Sequence, residues 1–119
     1  MVESETLLVQ PCDESCMRRH HLEFDRFFEV VEQTDDAQAA QMTLDPGQST
    51  GGPDNFHVDS DQWLFVHSGS GWAVVDGDEH SLETGDLLCI ESSERHEIGA
   101  DSDSSLETVN LYVPPRADR

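Results

Sequence analysis

Residues 55–77 read "NFHVDSDQWLFVHSGSGWAVVDG", and the reading of this stretch decides the fold. Gln62, Leu64 and Val66 alternate with Trp63, Phe65 and His67, the period of a strand whose two faces meet different surroundings. The "SGSG" of residues 68–71 supplies residues suited to a tight reversal between "DQWLFVHS" and "GWAVVDG", and Asp76-Gly77 has the chemistry of a two-residue hairpin turn. Two strands joined by a reversal are therefore expected here. His57 lies five residues before Gln62, with Asn55 two before His57. One imidazole and two carboxamides at this spacing fit either a ladder of metal ligands or the polar side of a plain hairpin.

The same punctuation continues outward. "RFFEVVEQ" and "AQAAQMTL" are joined by "TDD", and "DEHSLETG", "DLLCIES", "HEIGAD" and "LETVNLYV" follow at short intervals, separated by Gly, Asp and Ser turns. Many short strands at such spacing predict an all-β sandwich or barrel. A short helix is expected only in "PCDESCMRRHHLEF", where Asp13 suits an N-cap and Arg18, Arg19, His20 and His21 suit the last turn. The expected organisation is an N-terminal extension over residues 1–25, a barrel over 26–115 and a loose tail over 116–119.

The chain has 119 residues, 26 of them acidic and six basic, for a formal net charge of −20. All six basic residues are arginines, and lysine is absent. No basic stripe is available to meet phosphates, which argues against nucleic acid and against anionic membranes. Disorder is excluded by apolar residues recurring at strand spacing. An acidic, lysine-free surface suits a protein working in concentrated salt, where a Debye length of about 3 Å at 1 M mutes self-repulsion. The melting midpoint is therefore expected to rise along a KCl series from low to molar salt; a flat or falling midpoint would remove this reading. The segment "MVESETLLVQ" carries glutamates where a secretory signal needs positive charge, and three cysteines make no even disulfide framework. A cytoplasmic location is expected.

Two motifs at a fixed distance resemble those of the cupin family, over about residues 40–115. The family's first motif sets a His-x-His pair before a glutamate and places a glycine seven residues after it. Here Asn55, His57, Gln62 and Gly69 hold those positions. The second motif sets a histidine eleven residues after a glycine, with a proline and a small turn residue between; Gly85, Glu91, Ser93 and His96 stand there. Asp61-Gln62 and "YVPP" at 112–115 are similar to one branch of the family. The resemblance implies a jelly-roll barrel, or double-stranded β-helix, with Asn55, His57, Gln62 and His96 converging at one end of its interior.

Two imidazoles and two carboxamide oxygens are donors for a divalent metal such as Zn, Ni, Mn or Fe, bound weakly because no anionic ligand offsets the charge. Asn110 and Tyr112 alternate with Val109, Leu111 and Val113 and are candidates to line the pocket. Cys12, Cys16, His20 and His21 form a second ligand-rich set, read either as a zinc cluster or as one ordinary helix face. Cys89, in the apolar "DLLCIE", is expected to be buried. Trp63, Phe65 and His67 lie on the face opposite Gln62, either as a subunit contact or covered by the N-terminal strands.

The function expected is binding of a small molecule. The family also contains isomerases, epimerases and dioxygenases, so an enzyme on a small metabolite and a non-catalytic dimeric accessory protein remain the alternatives. A homodimer is the expected assembly.

Overall fold

The structure, a computed structural model, describes residues 17–51 and 60–116. It is built from seven antiparallel strands: β1 (Phe28–Gln33), β2 (Gln38–Leu44), β3 (Asp61–Val75), β4 (Asp78–Glu83), β5 (Leu87–Ile90), β6 (His96–Ala100) and β7 (Leu106–Val113). These follow the expected succession closely, and the fold is the all-β jelly roll.

The organising element is β3, and here the expectation of two strands fails. Residues 61–75 form one continuous strand, with its first half paired to β7 and β5 and its second half to β4 and β6. "SGSG" does not reverse the chain; it bends it. A register shift between Val66 and Ser68 marks the bend, and Gly69 takes φ +96°. Ser105 and Gly99 pass so close that a Cβ on Gly69 would lie 1.9 Å from the Ser105 carbonyl oxygen, and one on Gly71 2.1 Å from that of Gly99. Small residues were needed for close approach rather than for a turn. The true reversal comes at Asp76 and Gly77, both at positive φ (48° and 89°), as the Asp-Gly pair predicts.

The bend at Gly69 folds the sheet onto itself, and the core fills the space between its halves. Met42, Leu44, Leu64, Val66 and Leu106 from one half meet Ala73, Leu82, Ile98 and Ala100 from the other. Full burial of each larger side chain contributes about 1.5–3 kcal/mol. Inward core residues are even-numbered on β2, β4, β5, β6, β7 and the first half of β3, whereas the register shift between Val66 and Ser68 turns the second half of β3 to odd numbers, with Ala73 inward.

The expected N-terminal helix is not found among the described residues. Met17 to Phe24 have no regular secondary structure, and the remainder of "PCDESCMRRHHLEF" lies outside the described residues. Tertiary anchors hold this arm in place. Arg18 Nε and His20 Nε2 both reach Glu32, at 3.0 and 2.7 Å. The Glu32 carboxyl is partly desolvated, which raises its pKa, but the hydrogen bonds from His20, Arg18 and the Gln33 amide outweigh this and hold it below its ordinary value. Phe24, at φ +53°, donates its N–H to Gln41 Oε1 at 3.1 Å and stacks on the His67 ring with centroids 4.7 Å apart. His67 thus faces outward under aromatic cover. Of the ligand-rich set, His20 and His21 lie on no helix and His20 is paired with Glu32, while Cys12 and Cys16 lie outside the described residues.

Cys89 is exposed, contrary to expectation. Alternation in β5 sends Ile90 inward, so Cys89 and Leu87 point out. Partial desolvation, followed by the charges of Asp61, Glu91 and Glu94, pushes its thiol pKa up and disfavours the thiolate.

Candidate functional site

Strand register sorts the interior into layers. Gln38 pairs with Tyr112 and Tyr112 with Gln62, which also pairs with Ile90. The next inward layer is Ala40, Asn110, Leu64 and Leu88; then Met42, Thr108 and Val66; then Leu44 and Leu106. Polar side chains therefore occupy one end of the interior and aliphatic ones the other. From the polar end, five residues (91–95) lead from Ile90 across to His96, which pairs with Val75 on the opposite half and shares the inward side of β6 with Ile98 and Ala100. Gln62 and His96, apart in sequence and on different halves, come to the same end of the barrel.

The polar end is wired in one direction. Thr108 Oγ1 lies 3.5 Å from the Met42 carbonyl oxygen, which can only accept, so the hydroxyl donates to it. Asn110 Nδ2 then donates to Thr108 Oγ1 at 3.0 Å, and Gln62 Nε2 donates to Asn110 Oδ1 at 2.9 Å. The chain of bonds ends with Gln62 Oε1 buried and, among the described residues, without a hydrogen-bond partner. An orphaned buried acceptor costs about 1–3 kcal/mol, and a native fold retains one where something other than protein satisfies it. The Ser60 hydroxyl, two residues before Gln62 and equally buried, is orphaned too.

His96 is 5% exposed. Its Nδ1 lies 3.2 Å from the Glu94 carbonyl oxygen, so Nδ1 carries the proton and Nε2 is the unprotonated nitrogen. Burial lowers its pKa below the ordinary 6.5, with the Glu94 carbonyl and carboxylate offsetting part of the effect. In the metal-free protein the folded chain then refuses a proton that the unfolded chain accepts near pH 6.5. The stability from neutral His96 is complete above that pH and drains away as pH falls toward the lowered folded value. Thermal melts of wild type should fall more steeply between pH 7 and 5 than those of His96→Gln; equal slopes would contradict the burial argument.

At the rim, Arg116 Nε donates to Gln38 Oε1 at 2.9 Å, and its guanidinium lies over the rings of Phe28 (4.6 Å) and Tyr112 (4.9 Å). A planar cation is thereby fixed against the polar end.

Of the residues singled out from sequence, Gln62 and Asn110 are in contact, Tyr112 is the register partner of Gln62, and His96 stands at the same end. Asn55 and His57 lie outside the described residues. Among the described residues no three His, Cys, Asp or Glu side chains form a metal-binding group. The donors found are one neutral imidazole and one unpartnered carboxamide oxygen, a set that fits a divalent ion once a second imidazole is added. Gln38, Ser60, Thr108 and Arg116 were missed. Parity with Ala40, Gln62 and Asn110 could have found the first three; Arg116, in a segment read as tail, carried no signal.

Comparison with known proteins agrees with this architecture. The family model described as "Cupin domain" matches residues 40–112. The structure of KdgF from Halomonas sp. superposes with a TM-score of 0.66 at 26% identity, covering 76% of this chain and 80% of that one. An RmlC-like cupin protein from Desulfovibrio desulfuricans gives 0.71 at 25% identity over 83% and 98%. BH2720 from Bacillus halodurans gives 0.75 over 92% and 90%, at 17% identity that speaks for the fold alone.

Proposed function

The chain belongs to the cupin family, and from that premise we propose that it binds a small metabolite at the polar end of its barrel, with a divalent metal held by His57, Gln62, His96 and Asn55. The observation that carries this reading is the buried, unpartnered Oε1 of Gln62 at the end of a directed hydrogen-bond chain. His96, whose Nδ1 is held by the Glu94 carbonyl, would bring its Nε2 to the same ion. When bound, a divalent ion polarises an oxygen of the ligand.

The protein's own residues do the remainder. Asn110 and Thr108 hold the Gln62 carboxamide in one orientation, so its oxygen is presented without rotamer searching. Arg116, over the rings of Tyr112 and Phe28 and bonded to Gln38, braces the rim of the polar end. The inward polar side chains named above include no carboxylate, so binding is favoured over proton transfer by an acidic base. An isomerase, epimerase or dioxygenase reaction would instead rely on His96 and the metal.

Elemental analysis of protein purified in high salt without chelator tests this directly. One equivalent of divalent metal, lost in His96→Ala, is the expected result. Wild-type protein without stoichiometric metal, even after dialysis against Zn²⁺, Mn²⁺, Ni²⁺ or Fe²⁺, would sink it.

A further inference from the structure

The turn that leads from β5 to His96 is held from outside itself. Residues 91–95 cross from Ile90 on one half of the barrel to His96 on the other. Glu91, Ser93 and Arg95 are exposed, and Ser92 and Glu94 only partly buried, so burial does little to place this segment. Ser93, at φ +72°, takes a left-handed conformation that strains a residue with a side chain. Within the turn, the Glu94 N–H donates to the Glu91 carbonyl at 3.0 Å and the Glu91 N–H to Glu94 Oε1 at 2.7 Å. Two further carboxylates reach it from the ends of β3. Asp61, the first residue of β3, accepts the Ser92 N–H on Oδ1 at 2.8 Å. Asp76, which follows the last, accepts the Arg95 N–H on Oδ1 at 2.9 Å, and its own N–H donates to the Arg95 carbonyl at 2.7 Å.

We infer that Asp61 and Asp76 are positioning residues for His96: by fixing the turn they fix the Glu94 carbonyl, and through it the tautomer and aim of the imidazole. The Glu94 carbonyl oxygen lies 3.2 Å from His96 Nδ1 and can only accept, so it selects the ring that carries its proton on Nδ1. A carbonyl in a turn clamped on both sides has little freedom to swing away. The placing of the two clamps along β3 adds to their effect. Asp61 adjoins Gln62, whose carboxamide is oriented by Asn110, and Asp76 adjoins Val75, the register partner of His96. One strand therefore carries Gln62 and fixes both sides of the turn that delivers His96, which keeps the two side chains in a constant relation.

The geometry separates this role from that of ordinary surface charge. In a chain of net charge −20, a further carboxylate beside Glu91 and Glu94 is unfavourable by repulsion alone. Both carboxylates are nevertheless aimed at main-chain N–H groups, in bonds that an ionised acceptor strengthens. For Asp76 that aim requires φ +48°, a conformation that aspartate and asparagine tolerate because their short side chains bond nearby main chain. The turn uses the acceptor oxygen, and the charge comes with it. Only the aim of Nε2 at an ion rests on the function proposed above; the choice of tautomer does not.

Imidazole nitrogen NMR shifts in the full, metal-free chain test it, at a pH where the ring is neutral and with His96→Gln to assign the signals. Wild type should show the Nδ1–H tautomer of His96. Asp61→Ala should let the other tautomer appear, as should Asp76→Gly, which suits φ +48° but removes the acceptor. Asp61→Asn and Asp76→Asn keep an acceptor oxygen and should retain the wild-type pattern. Titration with Zn²⁺ should then give a Kd weaker by about tenfold or more for Asp61→Ala and Asp76→Gly, and within about twofold of wild type for the asparagine variants. Circular dichroism establishes which variants are folded, and if one of the first pair is not, the other decides. A wild-type tautomer in the folded Asp61→Ala or Asp76→Gly chain overturns the inference. Its loss in the asparagine variants does so too, because charge would then be the cause. Failure of both Asp61→Ala and Asp76→Gly to fold also overturns it, since the two residues would then hold the barrel rather than the turn. Should wild type bind no Zn²⁺, the metal reading fails and the tautomer alone decides the positioning role.

Discussion

Gly69→Ala is expected to destabilise the fold by about 4 kcal/mol or more, enough to remove most of the stability of a small domain. Two independent causes add. At φ +96° the backbone lies where an L side chain is strained, and the new Cβ would sit 1.9 Å from the Ser105 carbonyl oxygen. That oxygen belongs to the main chain leading into β7, so relief would require parting β3 from its longest partner. Gly77→Ala is the internal comparison. Gly77 has φ +89° with nothing within 4 Å of an added Cβ, so strain alone acts and the loss should be about 1 kcal/mol. Thermal melts in molar KCl should place Gly69→Ala about 15 °C or more below wild type, if it folds at all, and Gly77→Ala about 5 °C below. Equal midpoints for the two variants would show that β3 does not depend on the close passage at Ser105.

Gln62→Glu should move two measurements in opposite directions. In the metal-free protein a buried carboxylate replaces a carboxamide whose Nε2 donates to Asn110 Oδ1 at 2.9 Å. Asn110 can turn to offer its amide, but Thr108 and Met42 then lose their ordered donations, and the second carboxylate oxygen stays unpaired. A loss of about 2–3 kcal/mol is expected. With a divalent metal the same substitution adds the anionic ligand that the set lacks, and Kd should tighten by about tenfold or more. His96→Ala or His57→Ala should abolish binding instead. Calorimetric titration with Zn²⁺ and with Mn²⁺, alongside melts with and without metal, separates the two effects. Weaker metal binding by Gln62→Glu, or unchanged binding by His96→Ala, would refute the ligand assignment while leaving the fold untouched.

Much of this architecture was legible in residue order because a strand has a period of two. Once Gln62 was assigned inward, parity alone sent Leu64 and Val66 to the core and Trp63, Phe65 and His67 outward, and all five sides agree with the structure. The same rule places Asn110 and Tyr112 inward and Leu111 and Val113 outward. Where parity was set aside the reading failed: Cys89 was assigned inward from its apolar neighbours, although Ile90, the next residue, takes that side. Composition says which residues tolerate burial; alternation says which of them receive it.

What the order of residues determined by itself is therefore local: the succession of short strands, the Asp76-Gly77 hairpin, the side on which the residues of β7 and the first half of β3 lie, and a charge that demands screening. Tertiary structure decided whatever depended on a neighbour remote in sequence. "SGSG" has the chemistry of a turn, and only the passage of Ser105 and Gly99 within van der Waals reach makes it a bend in one unbroken strand. Arg18 to Phe24 have helix-compatible residues, yet Glu32, Gln41 and His67 offer them partners in an arm without regular secondary structure. The orphaned oxygen of Gln62 arises from a bond chain through Asn110 and Thr108, more than 40 residues away in sequence, to the Met42 carbonyl. Periodicity is a property of the backbone and survives in a one-dimensional reading, whereas a satisfied or unsatisfied polar atom is a property of the surroundings and exists only after folding.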